Sequence, residues 1–390
     1  MKKGWTYKKL GEVAAFMSGY TPDKSELISQ GKYPYFKVAE MNNPGNELFM
    51  RYTSFFIDSP KKVFPKGAII FPKNGGAIYT EKKRILEYDS VIDLNSEAIF
   101  PNEQIVLKYL FCFLNHIKIS SFDKGGGLPS LDLKKMANCL IPLPALSEQN
   151  KIVKRLDAAF AQIDELKANA EKQLAEARAL FQKALAKAME PKKGWEEKNL
   201  NDICTDIVDC PHSTPRKVDH PTKYPCIRTS ELKGGRIEWE SMQYLDEEEY
   251  IVRTARIKPQ PYDIVYGREG TYGDAVLLPE GYYFSLGQRT MLFRPDTNYV
   301  LPKFLHYSVI SSHVYEQAKA KNSGCGVGHV NVKDIKVFII GIPKSLSEQQ
   351  RIVERLDSIS ENIRKYEEIQ QKIITECDAL KQALLRQVFE

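Results

Sequence analysis

The chain has few of the residues from which catalytic and metal centres are usually built. Only six histidines occur in 390 residues, and no Ser/His/Asp or Cys/His nucleophile pattern is legible. Seven cysteines, an odd number without regular spacing, suit a reducing cytoplasm better than a disulfide framework. Cys204, Cys210, His212 and Cys226 come nearest to a zinc site, but they lack a C-x-x-C knuckle and no second pair follows. No metal or cofactor is expected. The segments KNGGA and GREGTYG are glycine-rich, yet neither is a phosphate loop, because neither ends in G-K-[ST] or opens a helix as G-x-G-x-x-G. No stretch approaches 18 consecutive apolar residues, so no membrane span is expected, and the opening MKKGWTYKKLGEV has no apolar region of the signal-peptide kind. A net charge of +6 permits contact with a polyanion without establishing it. What remains is an ordinary soluble composition, long enough for two or more domains.

What is present is a duplication. Lys3-Gly4-Trp5 opens the first half and Lys193-Gly194-Trp195 the second. Tyr33-Pro34 recurs as Tyr224-Pro225, each leading into an extended-looking run, YFKVAEM and CIRTSEL. Gly67–Phe71 (GAIIF) is echoed by Tyr262–Tyr266 (YDIVY), and each run enters a glycine-punctuated basic loop. The clearest copy closes each half. LPALSEQNKIVKRLD ends at Asp157 and IPKSLSEQQRIVERLD at Asp357, and from Ser147 and Ser347 onward eight of eleven residues are identical.

Periodicity divides the chain into four parts: 1–146, 147–191, 192–346 and 347–390. The first and third are rich in short apolar runs broken by Pro and Gly, and read as α+β domains with short helices near 103–117 and 300–320. The second and fourth have neither Gly nor Pro before Pro191, are rich in Ala, Glu, Lys, Gln and Leu, and read as long helices with Ser147 and Ser347 as N-caps. In the second helix Ile352, Ile359, Tyr366, Ile373 and Leu380 form one heptad row, and Leu356, Ile363, Gln370, Cys377 and Leu384 the other. A similar stripe runs through Ile152, Leu156, Ile163, Leu166, Leu174 and Leu180 in the first. Pairing the two would bury both stripes, giving an antiparallel intramolecular coiled coil with pseudo-two-fold symmetry. Each helix would rise about 66 Å.

Two dissimilar domains, each opening with Gly-Trp and closing in a proline-bearing approach to SEQ-x-x-IV-x-RLD and a long helix, resemble the specificity subunits of type I restriction-modification enzymes. The resemblance covers essentially the whole chain. It implies that the two domains are target-recognition domains, each reading one half of a split site in double-stranded DNA. The paired helices would act as a spacer and dock two methyltransferase subunits, and restriction/translocase subunits would complete a cytoplasmic complex. The chain itself would be non-catalytic, and no adenine-methyltransferase or ATPase motif is present in it. Unlike heads on like helices predict an asymmetric, bipartite target with an unread gap.

Base readout needs donors and acceptors on elements that enter a groove, flanked by cations for phosphates. In the first domain the candidates are Lys73, Asn74, Tyr79, Lys82, Lys83, Arg84 and Lys124. In the second they are Arg228, Thr229, Arg268, Thr271, Tyr272, Gln288, Arg289, Lys321 and Asn322. A solvated surface role stands beside the DNA role for each. An alternative for the whole chain is a two-headed interaction scaffold whose heads bind proteins.

Overall fold

A computed structural model describes residues 4–270, 272–322 and 328–390. The chain forms two compact units, Met1–Ala170 with Lys372–Glu390, and Glu171–Gln371. Among the described residues no helix is long and apolar enough to cross a membrane. Each unit is α+β, and the units share a main sheet of the same core order, with a fifth strand in the first unit only.

In the first unit, strands Ala14–Ser18, Ser96–Pro101, Ile69–Pro72, Arg84–Leu86 and Phe49–Met50 lie side by side in that order. In the second, Cys204–Asp209, Thr290–Pro295, Ile264–Gly267 and Ala275–Leu277 do the same. The runs GAIIF and YDIVY thus supply a central strand in each unit, and both faces of that strand are covered. Ile69 and Phe71 enter one apolar core while Ala68 and Ile70 enter another. Ile264 and Tyr266 likewise oppose Val265. Alternation between two cores is why these strands read as unbroken apolar runs. A second sheet, Tyr33–Phe36 between Phe56–Ile57 and Val91–Ile92, has its counterpart in Pro225–Ile227 between Gln243–Tyr244 and Ser285–Leu286. The runs YFKVAEM and CIRTSEL are strands only at first; both then turn into 3-10 helices, Val38–Asn42 and Thr229–Glu231. The Lys37 N–H donates to Glu40 Oε2 and the Arg228 N–H to Glu231 Oε2, each at 2.8 Å. A carboxylate three residues ahead captures the backbone and bends it.

The long helices span Leu146–Met189 and Leu346–Phe389, 44 residues each. Ser147 and Ser347 are not caps. The chain turns helical at Leu146 and Leu346, and the carbonyls of Ala145 and Ser345 accept the first helical N–H groups. The proline-bearing approach brings the chain into helical geometry earlier than its first serine does.

The glutamine of the repeated SEQ motif is fully buried in both copies. Gln149 Oε1 accepts the Val106 N–H at 2.8 Å, and its amide donates to the carbonyls of Gln104 and Pro144. Gln349 Oε1 accepts the Leu301 N–H at 2.9 Å, and its amide donates to those of Tyr299 and Pro343. One side chain thereby joins the start of a short head helix, Leu107–His116 or Pro302–Val309, to the start of a long one. Lys108–Asp157 and Lys303–Asp357 ion pairs at 2.6 and 2.7 Å repeat this joint at the surface.

Within each unit the long helices pair in opposite directions. In the first, Lys167 contacts Asp378 at 2.8 Å and Lys381 contacts Asp164, while Phe389 packs edge-on against Tyr109 and Phe113. In the second, Arg178 meets Glu367 at 2.9 Å, and Phe181, Leu185 and Met189 share a core with Val353, Leu356 and Ile363. The buried seam is narrower than the apolar stripe. Ile152, Leu156, Ile163, Leu356 and Ile363 are buried, Leu174, Ile352, Ile359, Ile373 and Leu384 half-buried. Leu166, Leu180 and Leu380 stand 51, 60 and 49% exposed, outside the seam, and Tyr366 reaches Gln173 only through its hydroxyl. The reason is angular. At 100° per residue, Leu166 and Leu180 lie well round the helix from Ile163 and Phe181, and small Ala170 lets the partner close over that narrower line.

Candidate nucleic-acid interface

The loop that follows the central strand is built in the same way in both units. After Ile69–Pro72 the chain passes through Lys73, Asn74 and Gly75; after Ile264–Gly267 it passes through Arg268, Glu269 and Gly270. A second loop is stitched across it. The Gly75 N–H donates to the Pro129 carbonyl at 2.8 Å and the Leu131 N–H to that of Lys73 at 2.9 Å. Correspondingly, the Gly270 N–H donates to Gly328 at 2.9 Å and the Val330 N–H to Arg268 at 3.0 Å. Asn74 bridges Ser130, and Glu269 bridges His329. Gly75 at φ 75° and Gly270 at φ 78° take a left-handed turn that favours glycine.

The cation at the base of each loop is consumed by the fold. Lys73 pairs with Glu97 at 3.1 Å, and that carboxylate also accepts the Ser18 hydroxyl. Arg268 is 7% exposed, donates to both oxygens of Asp209, and lies 3.4 Å from His329 Nδ1. The same fate meets other predicted cations. Lys83 is 4% exposed and donates to Glu81 and the Ile117 carbonyl; burial depresses its ammonium pKa. Arg84, half-buried, donates to the carbonyls of Lys83 and Met41, and burial lowers its pKa too. Arg228 grips the fully buried Glu231 with two nitrogens and donates to the Ser241 carbonyl. Lys82 donates to Asn42. Lys73 and Arg228 are turned inward onto the buried carboxylates of Glu97 and Glu231, and Arg268 onto half-buried Asp209, because a buried carboxylate needs a cation beside it. Lys83 and Arg84 also bind backbone carbonyls, and Lys82 binds a neutral amide.

Residues above the stitched base remain outward. Tyr79 is 57% exposed and donates its hydroxyl to Asp123 Oδ2 at 2.6 Å. That bond holds the Asp123 carboxyl below its usual range, helped by the Ser130 N–H. Lys124 is exposed beside Gly125, Gly126 and Gly127, followed by Leu128 at 75% exposure. In the second unit Tyr272 lies face to face with Tyr315, ring centroids 5.8 Å apart and planes 8° from parallel. Gln288 donates to the His212 carbonyl, and Arg289 sits at φ 68° with its guanidinium 3.4 Å from Glu269 and 54% exposed. Lys321 and Asn322 are exposed, and Asn322 Oδ1 accepts the His329 N–H at 2.8 Å. Thr229 opens the 3-10 helix beside Arg228. Thr271 lies outside the described residues. Tyr79, Lys124, Tyr272 and Asn322, expected from the sequence, fall on or beside the stitched loop pair. Asp123 was not among the expected residues, its one signal being an acid that precedes Lys124 and the triple glycine Gly125–Gly127.

Among the described residues no three metal-ligating side chains converge. Cys204, Cys210 and Cys226 are separate; burial raises all three thiols, that of Cys204 to about 12. The surface offers donors, aromatic rings and exposed cations, Lys124, Arg289 and Lys321, on paired loops, which is equipment for binding.

Comparison with known proteins agrees. A family model described as type I restriction modification DNA specificity domain matches residues 2–176 and 192–375. The specificity subunit of type I restriction enzyme EcoKI from Escherichia coli K12 is 22% identical over 100% of this chain and 89% of its own length. That of MjaVIII from Methanocaldococcus jannaschii is 23% identical over 91% and 86%. A chain solved in work on complex assembly and conformational transition of the type I R-M system superposes with a TM-score of 0.72 at 20% identity, covering 100% of this chain and 98% of that one. The HsdS subunit from Thermoanaerobacter tengcongensis gives 0.51 at 19%, covering 100% and 97%. At these identities the superpositions speak for the fold.

Proposed function

Because the chain belongs to the type I restriction-modification DNA specificity family, we propose that its two heads, 1–146 and 192–346, read the two halves of one interrupted, asymmetric DNA site. The helices at 147–191 and 347–390 would fix the length of the unread gap and seat two methyltransferase subunits. Restriction and translocase subunits would join the same cytoplasmic assembly. The chain contributes position, not chemistry: partner subunits flip an adenine in each half-site and methylate it, and they carry the ATP-dependent cleavage.

One observation carries this reading. The stitched loop pair repeats two backbone bonds and one side-chain clasp in two units whose loop sequences differ, Lys-Asn-Gly against Arg-Glu-Gly and Asp123 against Asn322. A common frame with unlike tips is what a reader of two unlike half-sites requires. Outward apolar residues on the long helices, Leu166 and Leu380 in one unit and Leu180 and Ile369 in the other, support a partner's seat there.

The test is a gel-shift titration with the co-purified methyltransferase, followed by single-molecule methylation mapping of a host with and without the gene. Expected are gene-dependent methylation at a two-part, non-palindromic motif, and binding that weakens about 10³- to 10⁵-fold between 50 and 200 mM salt if six to ten phosphates are held. A complex that binds protein but no DNA would favour the interaction scaffold instead.

A further inference from the structure

We infer that Asp123 and Asn322 are equivalent positioning residues, each fixing the stitched base beside its head's central-strand loop in the geometry that discriminates one half-site. The inference rests on the reading that the heads bind DNA. Asp123 Oδ1 accepts the Ser130 N–H at 3.0 Å, and Asn322 Oδ1 accepts the His329 N–H at 2.8 Å. Both bonds span the same number of residues, and both land on the residue that bridges the loop after the central strand, Asn74 or Glu269. The two sequences share two glycines here, Gly125 with Gly324 and Gly127 with Gly326, and differ at most other positions, yet both place a side-chain oxygen at the start. Below that oxygen the loops are sewn to Lys73 and Arg268, which are themselves pinned by Glu97 and Asp209. The clasp is thus the last link of a chain of bonds running outward from the sheet to Asp123 and Asn322.

Two glycines in the first head show what the tip is for. Gly76 and Gly127 have no left-handed φ, and a Cβ added to either would meet no atom within 4 Å. Nothing inside the molecule requires glycine at either place, whereas a ligand approaching the backbone closely would. The two heads also differ chemically. Asp123 brings a carboxylate, with Tyr79 on its second oxygen, to a face that meets phosphates; Asn322 offers the same acceptor without charge, and Tyr272 is left to stack on Tyr315.

The experiment uses the chain assembled with its methyltransferase and maps methylation for the native protein, Asp123→Ala, Asp123→Asn and Asn322→Ala, with thermal melts alongside. Expected for Asp123→Ala is relaxation of one half of the motif, single-base variants of that half gaining about tenfold or more in methylation, the worth of one misplaced bidentate base contact. The other half stays strict. Asn322→Ala relaxes the opposite half, and Asp123→Asn, which keeps the acceptor, restores discrimination and tightens binding. Should Asp123→Ala fail to assemble, Asp123→Glu, which moves the carboxylate by about one bond of 1.5 Å, must relax the same half. The inference is overturned if the variants leave both halves strict, relax both together, or if Asp123→Asn behaves as Asp123→Ala does. A native chain that yields no two-part motif overturns the reading of the heads themselves.

Discussion

Replacing Gln349 by leucine tests whether the SEQ motif is a structural joint. The side chain is fully buried and makes three hydrogen bonds to the backbone: it accepts from Leu301 N–H at 2.9 Å and donates to the carbonyls of Tyr299 at 2.9 Å and Pro343 at 3.2 Å. Leucine fills the volume and satisfies none of them. An orphaned buried polar group costs about 1–3 kcal/mol, so the three together destabilise the unit by about 3–9 kcal/mol, toward the lower end where water reaches the half-buried pair. For a unit of this size each kcal/mol lowers Tm by roughly 2–4 °C, which places the shift at roughly 6–36 °C. Calorimetry of the full chain is the assay. Gln149→Leu provides an internal control, since it breaks the matching joint of the other unit and must move a different transition. If both variants melt within about 2 °C of the native chain, the joint is not what holds the head helix to the long helix, and the account of the motif is wrong.

Other outcomes follow from the same structure. Removing one heptad from each long helix shortens each by about 10.5 Å, so the unread gap in the methylation motif should shrink by about three base pairs at roughly 3.4 Å each; an unchanged motif refutes the spacer. His306, buried with Nε2 3.1 Å from the Ala275 carbonyl, has its pKa depressed to about 4 by burial. Its folded-state pKa lies below that of the unfolded chain, so unfolding binds a proton between pH 6.5 and 4, and about 3 kcal/mol of stability is lost across that window as pH falls. Urea titrations at pH 7 and pH 5 on the native chain and His306→Gln measure this, and equal pH dependence in both would exclude the histidine as the cause.

Duplication, long helices and the equivalence of GAIIF with YDIVY were legible because each is a property of local pattern. Polarity at the site was not. Lys73 and Arg268 look like surface cations until Glu97 and Asp209, distant in sequence, are folded against them. Arg228 was closer to legible, with its acid only one helical turn ahead in Glu231, but nothing in the sequence says that this glutamate is buried. The apolar stripe overstated the seam for a related reason: hydrophobic residues outside it, such as Leu166 and Leu380, carry the same pattern as those within. Gln149 and Gln349 were visible as identical letters, yet identity alone could not distinguish a solvated glutamine from one carrying three backbone bonds.

Both heads end in the same socket, three backbone groups that take a rod's glutamine and a lysine clamped to a rod's aspartate at its lip, so this joint does not distinguish one head from the other. A foreign head that offers the same socket therefore fits this joint when joined at the Pro-to-Ser-Glu-Gln boundary, and only the apolar contacts beyond it need matching. New target sequences can then arise by splicing whole modules, leaving the register of the rods untouched.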